Sequence, residues 1–249
     1  MGDKMRNIKL TIEYDGREFN GWQKQPDKLN IQGSIESAIE QITGEKVELN
    51  ASGRTDAGVH ALGQVANFKT NSNLPIEKFS IAINSKLKKS IRILQAEEVE
   101  EIFHSRLTCK RKTYRYIIDN SSVGSAIYRY LETHIPQKLD VERMSQAVKY
   151  FEGEHDFKAF KASGTSSKSS VRTIYEAKVY KVQPDKIYIE LTGSGFLYNM
   201  VRIIAGTLVE VGLGKIDPQD IKKIILDGKR ENAGKTLPPN GLYLVKVEY

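Results

Sequence analysis

Apolar residues fall on alternate positions at Ile8, Leu10 and Ile12, the two-residue period of a strand with one buried face. A strand is therefore predicted over 6–14, ended by Gly16. The period then lengthens. Ile35, Ala38, Ile39 and Ile42 keep helical spacing and predict a helix over 32–42, stopped by Gly44. Short strands are predicted over 47–51 and 65–69. A helix follows over 76–87, with Ile76, Phe79, Ile83 and Leu87 on one stripe, and then a strand over 91–99. The second half repeats the style. It reads as a strand over 112–118, a helix over 141–151 bearing Met144, Val148 and Phe151, and strands over 171–182 and 186–192. A strongly apolar helix over 199–212, a shorter one over 221–226 and a closing strand over 242–249 complete it.

Strands and helices alternate, yet Pro184-Asp185 is a turn signal that joins two strands directly. That pattern favours an α+β fold with a mostly antiparallel sheet and helices on one face over a doubly wound one. Each half fits a ferredoxin-like unit. The expected division is 1–105 and 106–249. The segment 161–170, rich in Ser and Gly, reads as a surface loop; its Lys161 and Lys168 are able to meet an RNA that orders it, but a plain solvated loop is the favoured reading.

Charge narrows the classes of partner. The 249 residues hold 38 Lys plus Arg against 31 Asp plus Glu, a formal net charge of +7. Positive potential of this size steers a polyanion and is repaid by counterion release. The single cysteine, Cys109, excludes an internal disulfide and a multi-cysteine zinc site, and suits a reducing compartment. No apolar run approaches the roughly 18 residues of a membrane span. The first ten residues lack the apolar stretch of a signal peptide. The expectation is a cytoplasmic protein.

Three clusters carry candidate chemistry. The densest is Ser52-Gly53-Arg54-Thr55-Asp56-Ala57-Gly58-Val59-His60, which sets a cation, a hydroxyl, a carboxylate and an imidazole among glycines. A carboxylate beside Arg54 stays ionised and is able to act as a nucleophile or to stabilise a sugar cation. An Asx-type turn, with Asp56 capping backbone N–H groups, accounts for the same residues. The second cluster is Lys110-Arg111-Lys112-Thr113-Tyr114-Arg115-Tyr116. On a strand Tyr114 and Tyr116 share one face and Arg115 takes the other, so a tyrosine either stacks on an exposed base or packs in the core with its hydroxyl satisfied. The third is Arg202, a charge inside the apolar run 196–204 and in the first turn of a predicted helix, where the macrodipole disfavours a cation. It either pairs with a carboxylate, for which Asp56 is a candidate, or points to solvent.

Other motifs fail. Gly228, Gly234, Lys235 and Thr236 resemble a phosphate-binding loop, but the glycines are one residue too far apart and Pro238-Pro239 follows where a helix should start. His60, His104, His134 and His155 lack metal-ligand spacing.

At Gly53-Arg54-Thr55-Asp56-Ala57-Gly58-Val59-His60-Ala61 the chain resembles the TruA family of tRNA pseudouridine synthases. The resemblance extends through Tyr14-Asp15-Gly16, Gly21-Trp22-Gln23, Gln32, Phe103-His104-Ser105-Arg106, Tyr114-Arg115-Tyr116 and Gly153-Glu154-His155-Asp156-Phe157. It continues to 195–202 and the closing Gly241-Leu242-Tyr243-Leu244, so it covers nearly the whole chain. It implies conversion of uridine to pseudouridine at positions 38, 39 and 40 of the tRNA anticodon arm, without metal or cofactor. It also implies a homodimer, and two ferredoxin-like halves forming one continuous sheet with a central cleft. Asp56 takes the place of the family's nucleophile, Tyr114 that of its active-site tyrosine and Arg202 that of the basic residue paired with the aspartate. Arg54, Tyr114 and His60 are expected to bind the substrate. Two departures, Lys86-Leu87-Lys88-Lys89 after Ser85 and the serine at Ser105, leave the three catalytic positions untouched.

The implied reaction breaks the bond from uracil N1 to ribose, turns the base and rejoins it through C5. A carboxylate attacks either C1′ or C6. The target must leave the base stack, at a cost of a few kcal/mol, which Tyr114 offsets by stacking and Lys and Arg offset at phosphates. Two other classes fit parts of the sequence. One is a non-catalytic RNA-binding protein. The other is a glycoside hydrolase, for which no second carboxylate stands out.

Overall fold

A computed structural model describes residues 5–164 and 169–249. Residues 165–168, including the Lys168 of the expected loop, lie outside the described residues, as do the first four of the N-terminal segment. The chain forms two compact units, Met1–Lys110 with Leu244–Tyr249, and Arg111–Tyr243. Both are mixed α and β with mostly antiparallel strands, as the α+β expectation required.

The first unit runs β1 (Arg6–Tyr14), α1 (Ile31–Thr43), β2 (Asn50–Ala51), β3 (His60–Thr70), α2 (Ile76–Asn84) and β4 (Ile91–Val99). This βαββαβ succession has β1 central, antiparallel to β3 on one side and to β4 on the other, with β2 pairing β3: a ferredoxin-like order. Ile8, Leu10 and Ile12 of β1 are fully buried or nearly so, opposite Phe68 and Ala66 of β3. The stripe Ile31, Ile35, Ala38 and Ile39 of α1 and Phe79 and Ile83 of α2 complete that core. Each of the Ile, Leu and Phe side chains contributes about 1.5–3 kcal/mol by leaving water, and each Ala less. Helix α1 starts at Ile31 because the Asn30 side chain accepts the Gly33 N–H at 2.8 Å.

The second unit runs β5 (Arg111–Asp119), β6 (Thr133–His134), α3 (Val141–Val148), β7 (Gly153–Asp156), β8 (Val171–Gln183), β9 (Lys186–Gly193), α4 (Met200–Gly212) and α5 (Asp220–Asp227). Its strands lie in the order β5-β9-β8-β7, all antiparallel, with β6 parallel to β5. Alternate residues Tyr114, Tyr116, Ile118, Ile187, Ile189, Leu191, Ala177 and Val179 are buried, which gives the sheet one packed face. Helix α4 is buried almost all round, from Met200 through Gly212. A last strand, β10 (Leu242–Glu248), returns the chain to the first unit, where it neighbours β3.

Differences from the expected elements have local causes. The helix expected over 141–151 is α-helical only to Val148 and tightens into a 3-10 turn over Lys149–Phe151. The helix expected to reach 87 ends at Asn84, capped by Ser85. The strand expected over 47–51 shrinks to two residues, whereas the one expected over 65–69 begins already at His60.

Candidate active site

Residues 52–59 leave β2 and return as β3, and their backbone is pinned from several sides. Ser52 donates its hydroxyl to Gln64 Oε1 at 2.7 Å, and Gln64 Nε2 donates to the Gly53 carbonyl at 2.8 Å. Thr55 is buried and its Oγ1 lies 2.7 Å from the Tyr14 hydroxyl. Burial pushes that phenol well above its ordinary value, so it stays protonated. The Thr55 carbonyl accepts the Trp22 N–H at 3.0 Å, and the Tyr14 and Trp22 rings lie 6.1 Å apart.

Asp56 comes next, half-buried, with exposed neighbours Arg54 and Ala57 close by in the chain. Its carbonyl accepts the Val59 N–H at 3.1 Å across a turn with Gly58 at φ 78. The Asp56 carboxylate thus stands on a backbone held at Thr55 by the Trp22 N–H and at its own carbonyl by the Val59 N–H.

Gly21 makes the close approach possible. Its φ is +81, and a Cβ there would meet the Thr55 carbonyl oxygen at 2.5 Å and the Asp56 carbonyl carbon at 3.0 Å. Gly21→Ala is expected to destabilise the protein by about 1–3 kcal/mol and to lower turnover, because the turn must shift. Gly44, at φ +76 with nothing within 4 Å of its would-be Cβ, is the control. Gly44→Ala should cost stability from backbone strain alone, about 1 kcal/mol, and leave turnover unchanged. Denaturant midpoints and single-turnover rates of the two variants check this.

His60 opens β3 and is 1% exposed. Its Nδ1 lies 3.2 Å from the Gly16 N–H and 3.3 Å from Asp15 Oδ1. Burial alone would raise the Asp15 carboxyl, but hydrogen bonds from the Arg17 side chain and backbone, with the charges of His60 and Arg17, hold it below its ordinary value. A ring so enclosed braces the end of β1 against the turn. His60, expected to bind the substrate, meets Gly16 and Asp15 within the protein.

In the second unit both tyrosines of β5 are buried on one face of the strand. Tyr116 is fully buried, its hydroxyl 2.6 Å from Thr133 Oγ1 and donating to the Pro238 carbonyl at 2.7 Å. Burial raises that phenol too. Tyr114 is 8% exposed and meets the Phe196 ring edge-on, at 5.1 Å and 76°. Arg115 occupies the other face, paired with Glu190 at 2.7 Å and lying over the Tyr188 ring.

Arg202 stands in the first turn of α4, half-buried. Its Nε donates to the Leu237 carbonyl and its Nη1 to Asn199 Oδ1, each at 2.7 Å. Asn199, the residue before the helix, holds φ 59. Asparagine is among the few side chains that tolerate that region. These two acceptors offset the unfavourable helix dipole and orient the guanidinium. Sequence reasoning missed Asn199 and Leu237 as partners. Only the asparagine, beside the helix start, left a signal.

Among the described residues, no group of three or more His, Cys, Asp or Glu is placed to hold a metal ion, and no helix is long and apolar enough to cross a membrane.

The family model for tRNA pseudouridine synthases matches residues 10–106 and 147–249. The chain belongs to the tRNA pseudouridine synthase family, isomerases acting on uridine in tRNA. Within it, the chain is 53% identical to tRNA pseudouridine synthase A of Acetivibrio thermocellus over 98% of this chain and 100% of that one. The corresponding protein of Caldicellulosiruptor saccharolyticus is 53% identical, and tRNA pseudouridine synthase A 2 of Clostridium perfringens 52%, with the same coverage. Among solved structures, a Cbf5-Nop10-Gar1 complex aligns with 96% of this chain and 58% of that chain at TM-score 0.35 and 13% identity, too remote to add to the assignment.

Proposed function

We propose that the protein converts uridines 38, 39 and 40 of the tRNA anticodon arm to pseudouridine, with Asp56 as the nucleophile. The observation that carries this is the Asp56 turn: a half-buried carboxylate on a backbone braced by Tyr14, Trp22, Gln64 and His60. Such bracing costs nothing at the moment of reaction and keeps the attacking oxygen in place.

In the proposed sequence the carboxylate adds to C1′ or C6 of the flipped uridine, and the bond from C1′ to N1 breaks. The uracil turns within the site, C5 joins C1′ as the carboxylate departs, the proton on C5 is lost, and N1 takes up a proton from solvent in its place. Atoms are conserved and no co-reactant enters. Tyr114, held by Phe196, stacks on the base and takes the C5 proton, passing it on to solvent. In this scheme Arg202, its guanidinium oriented by Leu237 and Asn199, supplies the positive charge that keeps the aspartate anionic. Arg54, exposed beside the nucleophile, contacts the phosphate of the flipped nucleotide. No metal or cofactor takes part, and the enzyme works as a cytoplasmic homodimer.

Incubating the protein with unmodified tRNAs that carry uridine at 38, 39 or 40, and mapping pseudouridine by position, tests the proposal. Pseudouridine at those three positions is expected. Modification elsewhere in the tRNA would overturn the site assignment, and tRNA bound but unchanged would return the non-catalytic reading.

A further inference from the structure

The segment that follows α5 carries no substrate-facing role in the scheme above, yet its bonds converge on Arg202. Arg230 donates from Nη1 to the Ala233 and Gly234 carbonyls, at 3.3 and 2.9 Å, and from Nη2 to Thr236 Oγ1 at 3.1 Å. Three bonds from one planar fork gather residues 233–236 into a fixed bend. Neighbouring Lys229 is exposed, whereas Arg230 is half-buried and turned into this bend.

The bend is then fastened to α4, backbone against backbone. A Cβ at Gly206 would meet the Lys235 carbonyl oxygen at 1.8 Å, and one at Gly234 would meet the Gly206 carbonyl carbon and the Thr207 nitrogen at 2.6 Å. Thr207 Oγ1 accepts the Gly234 N–H at 2.9 Å. Directly beyond, the chain pairs reciprocally with Arg202: the Leu237 N–H donates to the Arg202 carbonyl at 3.3 Å, and Arg202 Nε donates to the Leu237 carbonyl at 2.7 Å. The next residue, Pro238, gives its carbonyl to the Tyr116 hydroxyl.

We infer that Arg230 is a positioning residue for the reaction, setting the Arg202 guanidinium through the bend 233–237. Arg230 folds the bend, glycines on both partners let it lie against α4, and the Leu237 carbonyl at its end holds Nε. The pieces that looked like a broken phosphate loop, Gly234, Lys235 and Thr236, serve as this strap. The catalytic consequence rests on the role proposed for Arg202; the positional link does not.

The test has two arms. In 15N–1H spectra of the full-length protein, the Arg202 Nε–H signal is assigned by its disappearance in Arg202→Met. In wild type it should exchange slowly with solvent; in Arg230→Met it should exchange at least about tenfold faster. Equal exchange in the two proteins overturns the inference whatever Arg202 does in the reaction. In kinetics, Arg230→Met should lower kcat on tRNA by about 10- to 100-fold, the scale on which displacement of a catalytic group acts, with KM changed less than about threefold. In the Arg202→Met background the same change should have no further effect on kcat, because residues acting through one group are not additive. A raised KM with unchanged kcat would make Arg230 a phosphate contact and overturn the inference. So would additive losses in the double variant. Should Arg202→Met prove fully active while Nε–H protection is still lost in Arg230→Met, the role of Arg202 falls and the positional link stands. Arg230→Lys, which keeps the charge and loses the fork, serves if the methionine variant does not fold; it too should lose Nε–H protection.

Discussion

Asp56→Asn is expected to reduce pseudouridine formation by on the order of 10,000-fold, the scale on which loss of a nucleophile acts in covalent enzymes. The side chains are nearly isosteric, and the Asp56 contact that shapes the turn is made by its carbonyl, which the asparagine retains. The fold and the docking surface should therefore persist. Affinity for tRNA should stay within about threefold, tilted towards tighter binding, because removal of a negative charge favours a polyanion. Single-turnover assays with excess enzyme separate the two effects. A variant that still modifies tRNA within tenfold of the wild-type rate would remove Asp56 from the chemistry.

Arg202→Met is expected to lower kcat by about 100- to 1,000-fold, the range found when one preorganised electrostatic contact is deleted. Methionine fills much of the volume of the arginine stem, so the packing of α4 suffers little. The change also leaves the Leu237 carbonyl and Asn199 Oδ1 without the donors they have now, which should cost about 1–3 kcal/mol of stability. Rates are therefore to be compared well below the melting transition of the variant. Arg202→Lys should recover only part of the loss, since an ammonium does not span both acceptors in the plane of a guanidinium. Full activity in the methionine variant, with normal dependence on tRNA concentration, would break the proposed pairing with Asp56.

Much of the fold was legible from periodicity. β1 and β4 appear at the bounds their patterns predicted, and the Pro184-Asp185 turn joins β8 to β9 in register from Gln183 and Lys186. These elements bury a regular face, and the period of that face is written in the chain. β6 and β7 went unseen. Two and four residues long, they exist because β5 and β8 lie alongside them, and such short pieces carry no pattern of their own. The site divides in the same way. Asp56, Arg54 and His60 stood out as a dense polar run between glycines, and Arg202 as a charge in an apolar stretch. The buried place of His60 did not, because it depends on β3 starting five residues earlier than its apolar pattern suggested.

By itself the sequence determined the alternation of strand and helix, the basic balance of charge, and the short list of side chains able to do chemistry. Side-chain identity and local period suffice for those. Tertiary structure alone decided that Tyr116 bonds Thr133 and Pro238 while Tyr114 packs edge-on against Phe196, although both are buried on one face of β5. It alone decided that Thr55 and Leu237 act through their carbonyls. A main-chain oxygen is the same in every residue, so its role arises only from what distant segments of the chain bring within reach of it.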